Sequence, residues 1–280
     1  MRRTPDLPGN TLRRGRVCRG FTTYCFYCVN FRPLLPAFLL LSVAAAHSAQ
    51  AQDAGPERRR RHYDGQARAF YRGPVRFTVG GGVGYYNGDL TSSLGDQFIG
   101  PSFTGGIQYQ THPHWQVGGE VSYIRLGAKD YLLDRGLAFQ GHNVAGIAFV
   151  RWEPLHDEGA YAAPRKPASI IKPYLKAGGG LVLYSPKAFR GTERPNGNAS
   201  TNYLSAERND YPALALTLPV GVGFTVRLTP KLGASLEGTY SFTTTDQLDD
   251  ISTVSGRSAS SLNDGFGQLE LKLEYAPWGR

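Results

Sequence analysis

The sequence predicts an all-β protein, an eight-stranded antiparallel up-and-down transmembrane β-barrel, and three observations carry that prediction. From Val75 to Tyr275 apolar and polar residues alternate with period two, most cleanly in Gln268-Leu-Glu-Leu-Lys-Leu-Glu-Tyr275, the pattern of strands with one wet and one dry face. Runs of about ten to twelve residues, rising about 3.3 Å each and tilted near 45°, climb roughly 25 Å, the height of a membrane barrel's apolar band. The connections between them alternate between tight turns and long loops, as in outer-membrane barrels.

Residues 1–51 read as a leader. Leu34 to Ala46 is a 13-residue apolar run, too short for the about 20 residues that span a bilayer. Ala49-Gln50-Ala51 follows it as a small-x-small site, so cleavage is expected between Ala51 and Gln52. The arginine-rich stretch before the run exceeds the ordinary signal-peptide length, and translation is therefore expected to start later, near Val29. Cys18, Cys25 and Cys28 all lie in this leader, which leaves no disulfide or thiolate chemistry for the remainder. The CxxC spacing of Cys25 and Cys28 has no second pair and no nearby histidine, and reads as incidental.

Charge divides along the same boundary. The formal charge of +9 comes from 31 Lys+Arg and 22 Asp+Glu, but residues 1–72 hold 13 Arg against four acids, and Gly73 to Arg280 holds 18 of each sign. The basicity belongs to the leader and to residues 52–74, an expected flexible, Arg-rich periplasmic linker containing Arg58-Arg-Arg-Arg61. Nucleic-acid binding is accordingly not expected.

The barrel, residues 75–280, is expected to contain eight strands: Val75 to Tyr86, Pro101 to Thr111, Trp115 to Leu126, Phe139 to Glu153, Ile171 to Tyr184, Ala213 to Leu228, Leu232 to Thr244 and Gly265 to Tyr275. Gly80 to Gly84 and Gly178 to Gly180 continue into neither GK[ST] nor a helix start. They read as strand glycines that ease bends in a small barrel. His112-Pro-His114 and Thr229-Pro-Lys231 form tight turns, whereas Asn87 to Gly100, Gly127 to Ala138, Ser185 to Pro212 and Thr245 to Asp264 form long loops. Pro154 to Ser169 is a longer connection on the turn side. The expected location is the outer membrane, with the turn rim and both termini in the periplasm and the long loops outward. Trp115, Trp152 and Trp278 at turn-side strand ends, and Tyr85, Tyr123, Tyr184 and Tyr240 toward loop-side ends, are read as interfacial girdles.

Alternation alone does not say which face is inside, and a lipocalin is an exported eight-stranded barrel of opposite polarity. In a membrane, an outward Lys or Arg at mid-bilayer costs about 2–4 kcal/mol, so charged strand residues must point inward. Arg76, Glu120, Lys172, Lys176, Arg227, Glu237, Glu270, Lys272 and Glu274 are therefore assigned to the lumen. Val144 to Val150 is apolar on both faces, and only Arg151 hints at the phase of the fourth strand. Eight strands enclose an interior that side chains fill, so these charges are expected to form a plug of paired ions rather than a selectivity filter.

No catalytic, cofactor or metal residues are assigned. His142 is the one histidine within a strand, and a lipid-modifying enzyme would require it to meet a serine such as Ser122 or Ser241. His112 and His114 have no further ligand to complete a metal site.

Four stretches resemble a known family: Val83-Gly-Tyr-Tyr-Asn-Gly-Asp-Leu90, Arg135-Gly-Leu-Ala-Phe139, Trp152-Glu-Pro154, and Lys172-Pro-Tyr-Leu-Lys-Ala-Gly-Gly-Gly-Leu-Val-Leu-Tyr-Ser-Pro-Lys-Ala188. The chain resembles the PorG-like outer-membrane β-barrel family of Bacteroidota, whose founding members associate with the type IX secretion system. The resemblance implies the same fold and location, contact with outer-membrane lipid, and secretion-system or periplasmic protein partners. With the neutral closed barrel and the long outer loops, it leads to an expected non-enzymatic structural or partner-binding role, the alternatives being a stand-alone small outer-membrane protein for envelope stability or ligand binding and, third, a lipid-modifying barrel enzyme. The chain ends Tyr275-Ala-Pro-Trp-Gly-Arg280, so the terminal aromatic signal for barrel assembly is displaced by a few residues.

Overall fold

The computed structural model describes residues 60–277, apart from 89, 92, 132–135, 156, 163, 165, 196–200, 207 and 252–262. The leader with Ala49, Ala51 and Gln52, the first part of the linker, and Trp278 lie outside the described residues.

Eight long strands form the barrel: β1 Val75–Asn87, β2 Gly100–His112, β3 Trp115–Lys129, β4 Leu137–Trp152, β5 Ile171–Arg190, β6 Ala213–Arg227, β7 Leu232–Thr243 and β8 Gly265–Tyr275. Each pairs antiparallel with its neighbour in the chain, and β8 returns to β1, with Val83 opposite Leu269. Closure satisfies every strand edge internally, which a bilayer demands because it offers backbone groups no water.

Side-chain exposure settles the polarity of the wall. On β6, Leu214, Leu216, Leu218 and Val222 are 58–59% exposed, whereas Glu237, Glu270 and Lys272 are 5% exposed or less. A barrel that is apolar outside and charged inside is the reverse of a lipocalin, and the outer face is stable only against hydrocarbon. The fourth strand takes its phase from Arg151: Val144 and Val150 face out, while Ala145, Phe149 and Arg151 are buried inside.

β3 and β5 run further than the alternation predicts. β5 continues through Ser185-Pro186-Lys187 to Arg190, with Pro186 opposite Gly141, and β3 continues to Lys129. Buried Ala188 and Phe189 hold this extension down, so β3, β4 and β5 project beyond the expected loop rim as a tall flap.

Two glycines are required by the close approach of paired strands rather than by bending. A Cβ on Gly82 would collide with the Leu269 carbonyl oxygen, and one on Gly180 would collide with that of Gly146.

Residues 60–74 differ from the free linker expected. His62–Tyr63 pairs with Ala69–Phe70 in a small hairpin whose turn is closed by the Asp64 carboxylate, accepting from the Gln66 and Arg68 amides at 2.9 and 2.8 Å. Phe70 is 4% exposed, packs edge-on to His112 at 5.0 Å and bridges to Tyr161, and Arg68 pairs with Glu158 at 2.8 Å. The hairpin docks on the turn rim through the Phe70–Tyr161 backbone bridge, the Phe70–His112 ring contact and Arg68, which stacks over the Tyr161 ring at 3.8 Å.

Candidate functional site

The barrel interior is the candidate site, and it is organised in three tiers. Every strand contributes inward residues at alternate positions, so the tier a residue joins follows from its height along the strand.

The middle tier is a compact ion network. Lys176 on β5 reaches Glu120 on β3 at 2.6 Å and Glu237 on β7 at 2.7 Å. Lys272 on β8 binds the same two carboxylates at 3.1 and 2.8 Å and Glu270 at 3.4 Å. Hydroxyls complete the shells: Tyr174 donates to Glu237 at 2.8 Å, and Ser102 and Thr104 each donate to Glu270 at 2.8 Å. A cavity of about 10 Å³ beside this network has room for about one water.

The turn-side tier is a second network. Arg151 contacts Glu274 at 2.8 Å and Glu153 at 2.9 Å, and stacks over the Tyr174 ring at 3.6 Å. Arg76 meets Glu274 at 3.3 Å. Below them Asp157, from the connection that closes the turn rim, pairs with Lys172 and with Arg227 at 3.1 Å. Asp157 also caps the short Glu158–Ala160 helix, accepting from the Gly159 and Ser169 amides at 3.1 and 2.9 Å. Burial pushes its carboxyl up, but the Lys172 charge and these donors outweigh burial and hold it below its ordinary value. A cavity of about 180 Å³ remains at this mouth, lined by Arg76, Lys172, Arg227, Asp157 and Tyr161.

The loop-side tier is apolar. Tyr86, Ile124, Leu126, Phe139, Val182, Tyr184 and Phe266 point inward from the strands and pack against Leu248 and Ile251 of the last long loop. That loop is pinned by acids: the Leu248 amide donates to Asp264 at 3.0 Å, and the Ile251 amide donates to Asp249 at 3.1 Å. The Tyr86 hydroxyl lies 2.5 Å from Asp264 and 3.0 Å from Asp249. Burial first, and the Asp249 charge second, push the Asp264 carboxyl up to about 8.

The nine charged residues assigned to the lumen all belong to the two ion networks, with Arg76 and Arg227 half-buried at the mouth. Arg151, Glu153 and Asp157 join them without having been assigned. Arg151 was hidden by the two-sided apolar run of β4, while Glu153 and Asp157 lie beyond strand periodicity. Tyr184 requires correction: it is 1% exposed and lies inside, not in a girdle. It shares the phase of Lys172 and Lys176, which was the available signal. Trp115 and Trp152 stack on the outer wall with centroids 6.2 Å apart, and Tyr85, Tyr123 and Tyr240 occupy the outward phase near the loop rim.

The structure does not bring His142 to a lumen serine. Ser122 and Ser241 are buried inside, whereas His142 is on the outer wall with its Nδ1 2.5 Å from the Tyr123 hydroxyl. Among the described residues no three His, Cys, Asp or Glu side chains gather in a metal-binding arrangement.

No protein-family model and no curated protein matches the chain. Among solved structures it is similar to Neisserial surface protein A, at 14% identity and a TM-score of 0.40 over 73% of this chain and 98% of that one. It is also similar to the attachment invasion locus protein of Yersinia pestis, at 12% identity and a TM-score of 0.39 over 72% and 96% of the two chains. A major outer membrane protein from Thermus thermophilus gives 13% identity and a TM-score of 0.41 over 72% and 99%.

Proposed function

We propose that this protein is a non-enzymatic outer-membrane barrel acting as a structural or partner-binding component rather than a channel. The observation that carries this reading is the sealed interior: Lys176 and Lys272 tie opposite walls together across the lumen, and an apolar tier lies beyond them. Filled lumens of this kind serve as rigid anchors, and recognition then falls to the rims and the outer wall. The turn rim, with its docked hairpin, is assigned to the periplasm and the long loops to the exterior. The resemblance of four sequence stretches to the PorG-like family supports a secretion-associated partner, and a stand-alone protein for envelope stability or ligand binding is the second reading.

Three experiments test this. Purified protein reconstituted in planar bilayers is expected to show no single-channel conductance, and steady ohmic steps would refute the sealed interior. Crosslinking in cells followed by pull-down is expected to recover a stoichiometric envelope partner, whereas recovery of the barrel alone would favour the stand-alone reading. His142→Ala is expected to leave the lipid A and phospholipid profile unchanged.

A further inference from the structure

The outward phase of the eight strands carries charge in one place only. From β1 round to β8 the outward residues are apolar, glycine or uncharged polar, except for Arg125 and Lys129 on β3 and Lys187 on β5. All three are cations, and all three lie at the loop-rim end of the tall flap. Cross-strand register gathers them: Arg125 stands opposite His142 on β4, and Gln140, one outward position above His142, stands opposite Lys187. Arg194, from the loop after β5, is close enough for the Arg125 charge to act on it, and Arg125 and Lys187 both act on the His142 ring.

This grouping contrasts with the rest of the molecule. The two ion networks of the interior set six cations against six acids, and each of these twelve is in an ion pair. On the flap, Arg125 bonds only the neutral Gln140 side chain at 3.0 Å, and Arg194 donates to the Phe98 and Ile99 carbonyls at 2.7 and 3.1 Å. Among the described residues none of Arg125, Lys129, Lys187 and Arg194 has an acidic partner, and Glu193, adjacent to Arg194, is exposed and in no ion pair. Mutually repelling cations held together by strand register are stabilised by an anion from outside the chain.

Height on the wall identifies that anion. Directly below the Arg125 row, Tyr123, Val144 and Leu183 form an exposed apolar row, and the wall stays apolar down to Trp115 and Trp152. An acyl chain lying on that wall brings its own headgroup to Arg125, one outward row or about 7 Å above the last apolar row, and to Lys187, one outward row higher again. We propose that the outer face of β3–β5 at the loop rim is a binding site for a phosphorylated lipid, with Arg125 and Lys187 holding the phosphate and Tyr123, Val144 and Leu183 holding the acyl chain. The assignment of the lipid to the outward leaflet rests on the loop-outward orientation proposed above, and the site itself does not.

The test is native mass spectrometry of the detergent-solubilised full barrel titrated with three probes: bis-phosphorylated lipid A, phosphatidylglycerol and inorganic phosphate. Lipid A is expected to bind, and Arg125→Gln/Lys187→Gln is expected to weaken it roughly thirty-fold, about fivefold per cation. Lys166→Gln/Lys231→Gln, which removes two exposed cations at the other rim, should leave it unchanged. The boiling-dependent gel shift confirms that both variants are folded. Equal effects of the two double variants, or none from either, would overturn the site. Inorganic phosphate binding as tightly as the lipids would overturn the lipid assignment. Phosphatidylglycerol binding that depends on Arg125 and Lys187, with lipid A excluded, would uphold the site and overturn the orientation.

Discussion

Glu120 on β3 and Glu237 on β7 stand four strands apart around the closed sheet, yet their carboxylates bind the same two ammonium groups, Lys176 and Lys272. The lumen at that height is therefore no wider than two ion pairs. Charges with dedicated partners across the barrel brace its walls.

Lys176→Met tests the brace. It leaves Glu120, Glu237 and Glu270 to share Lys272 in a site excluded from water, and uncompensated buried charge of this kind costs about 3–5 kcal/mol. The urea midpoint, read from heat-modifiable mobility, is expected to fall accordingly. Adding Glu120→Gln removes the orphaned partner and should restore a large part of the loss. A single variant as resistant as the wild type would show that the ammonium contributes nothing.

Gly82→Ala is expected to destabilise the seam between β1 and β8 by about 1–3 kcal/mol, the usual cost of overpacking, because its Cβ would meet the Leu269 carbonyl oxygen and the Glu270 Cα. Gly105→Ala is the control. It also lies within a barrel strand, but its Cβ would meet nothing within 4 Å. Comparable midpoints for the two variants would contradict the requirement for close strand approach.

The parts legible in the sequence are those governed by period two. Alternation located all eight strands and put Lys172, Lys176 and Glu237 on one phase, because one face of every strand is buried and the other meets lipid. What escaped lies where that rule stops or competes with another. Tyr184 carries the phase of Lys176, but its position near a strand end suggested a girdle. Strand phase also separates Ser122 from His142 once Arg151 fixes β4, and the two-sided apolar run of that strand hid this. Asp157 and the His62–Phe70 hairpin are fixed by tertiary contacts between segments too short to show any period.

The Asp264 carboxyl makes the loop-side tier pH-sensitive. Its folded value, raised from 3.8 to about 8, means that the folded state favours the neutral form. The stability it contributes is complete below the ordinary carboxylate value and is lost as pH rises through about 8. The Leu248 and Ile251 amides should therefore exchange hydrogen faster at about pH 9 than at about pH 6, beyond the intrinsic base-catalysed increase. Asp249→Asn removes the neighbouring charge and should flatten that difference. An unchanged pH dependence in the variant would separate Asp264 from Asp249.

Asp157 has the opposite sign and holds the opposite rim. Its carboxyl is lowered in the folded protein, so its contribution is present above the ordinary value of 3.8 and is lost only as pH falls through the still lower folded value. The turn-rim segment is therefore expected to stay closed at neutral pH and to loosen in strong acid. Asp157→Asn keeps the side-chain shape but removes the charge that pairs with Lys172 and Arg227, and hydrogen bonds to charged groups contribute about 1.5–3 kcal/mol. At neutral pH the Gly159 and Ser169 amides, which both donate to Asp157, should exchange at least about tenfold faster in the variant. Amides within β1 and β8 should exchange as before, because the strand ladder does not depend on this carboxylate. Protection of Gly159 and Ser169 that survives the substitution would mean that the docked hairpin with its Phe70–Tyr161 bridge, rather than the Asp157 charge, closes the turn rim.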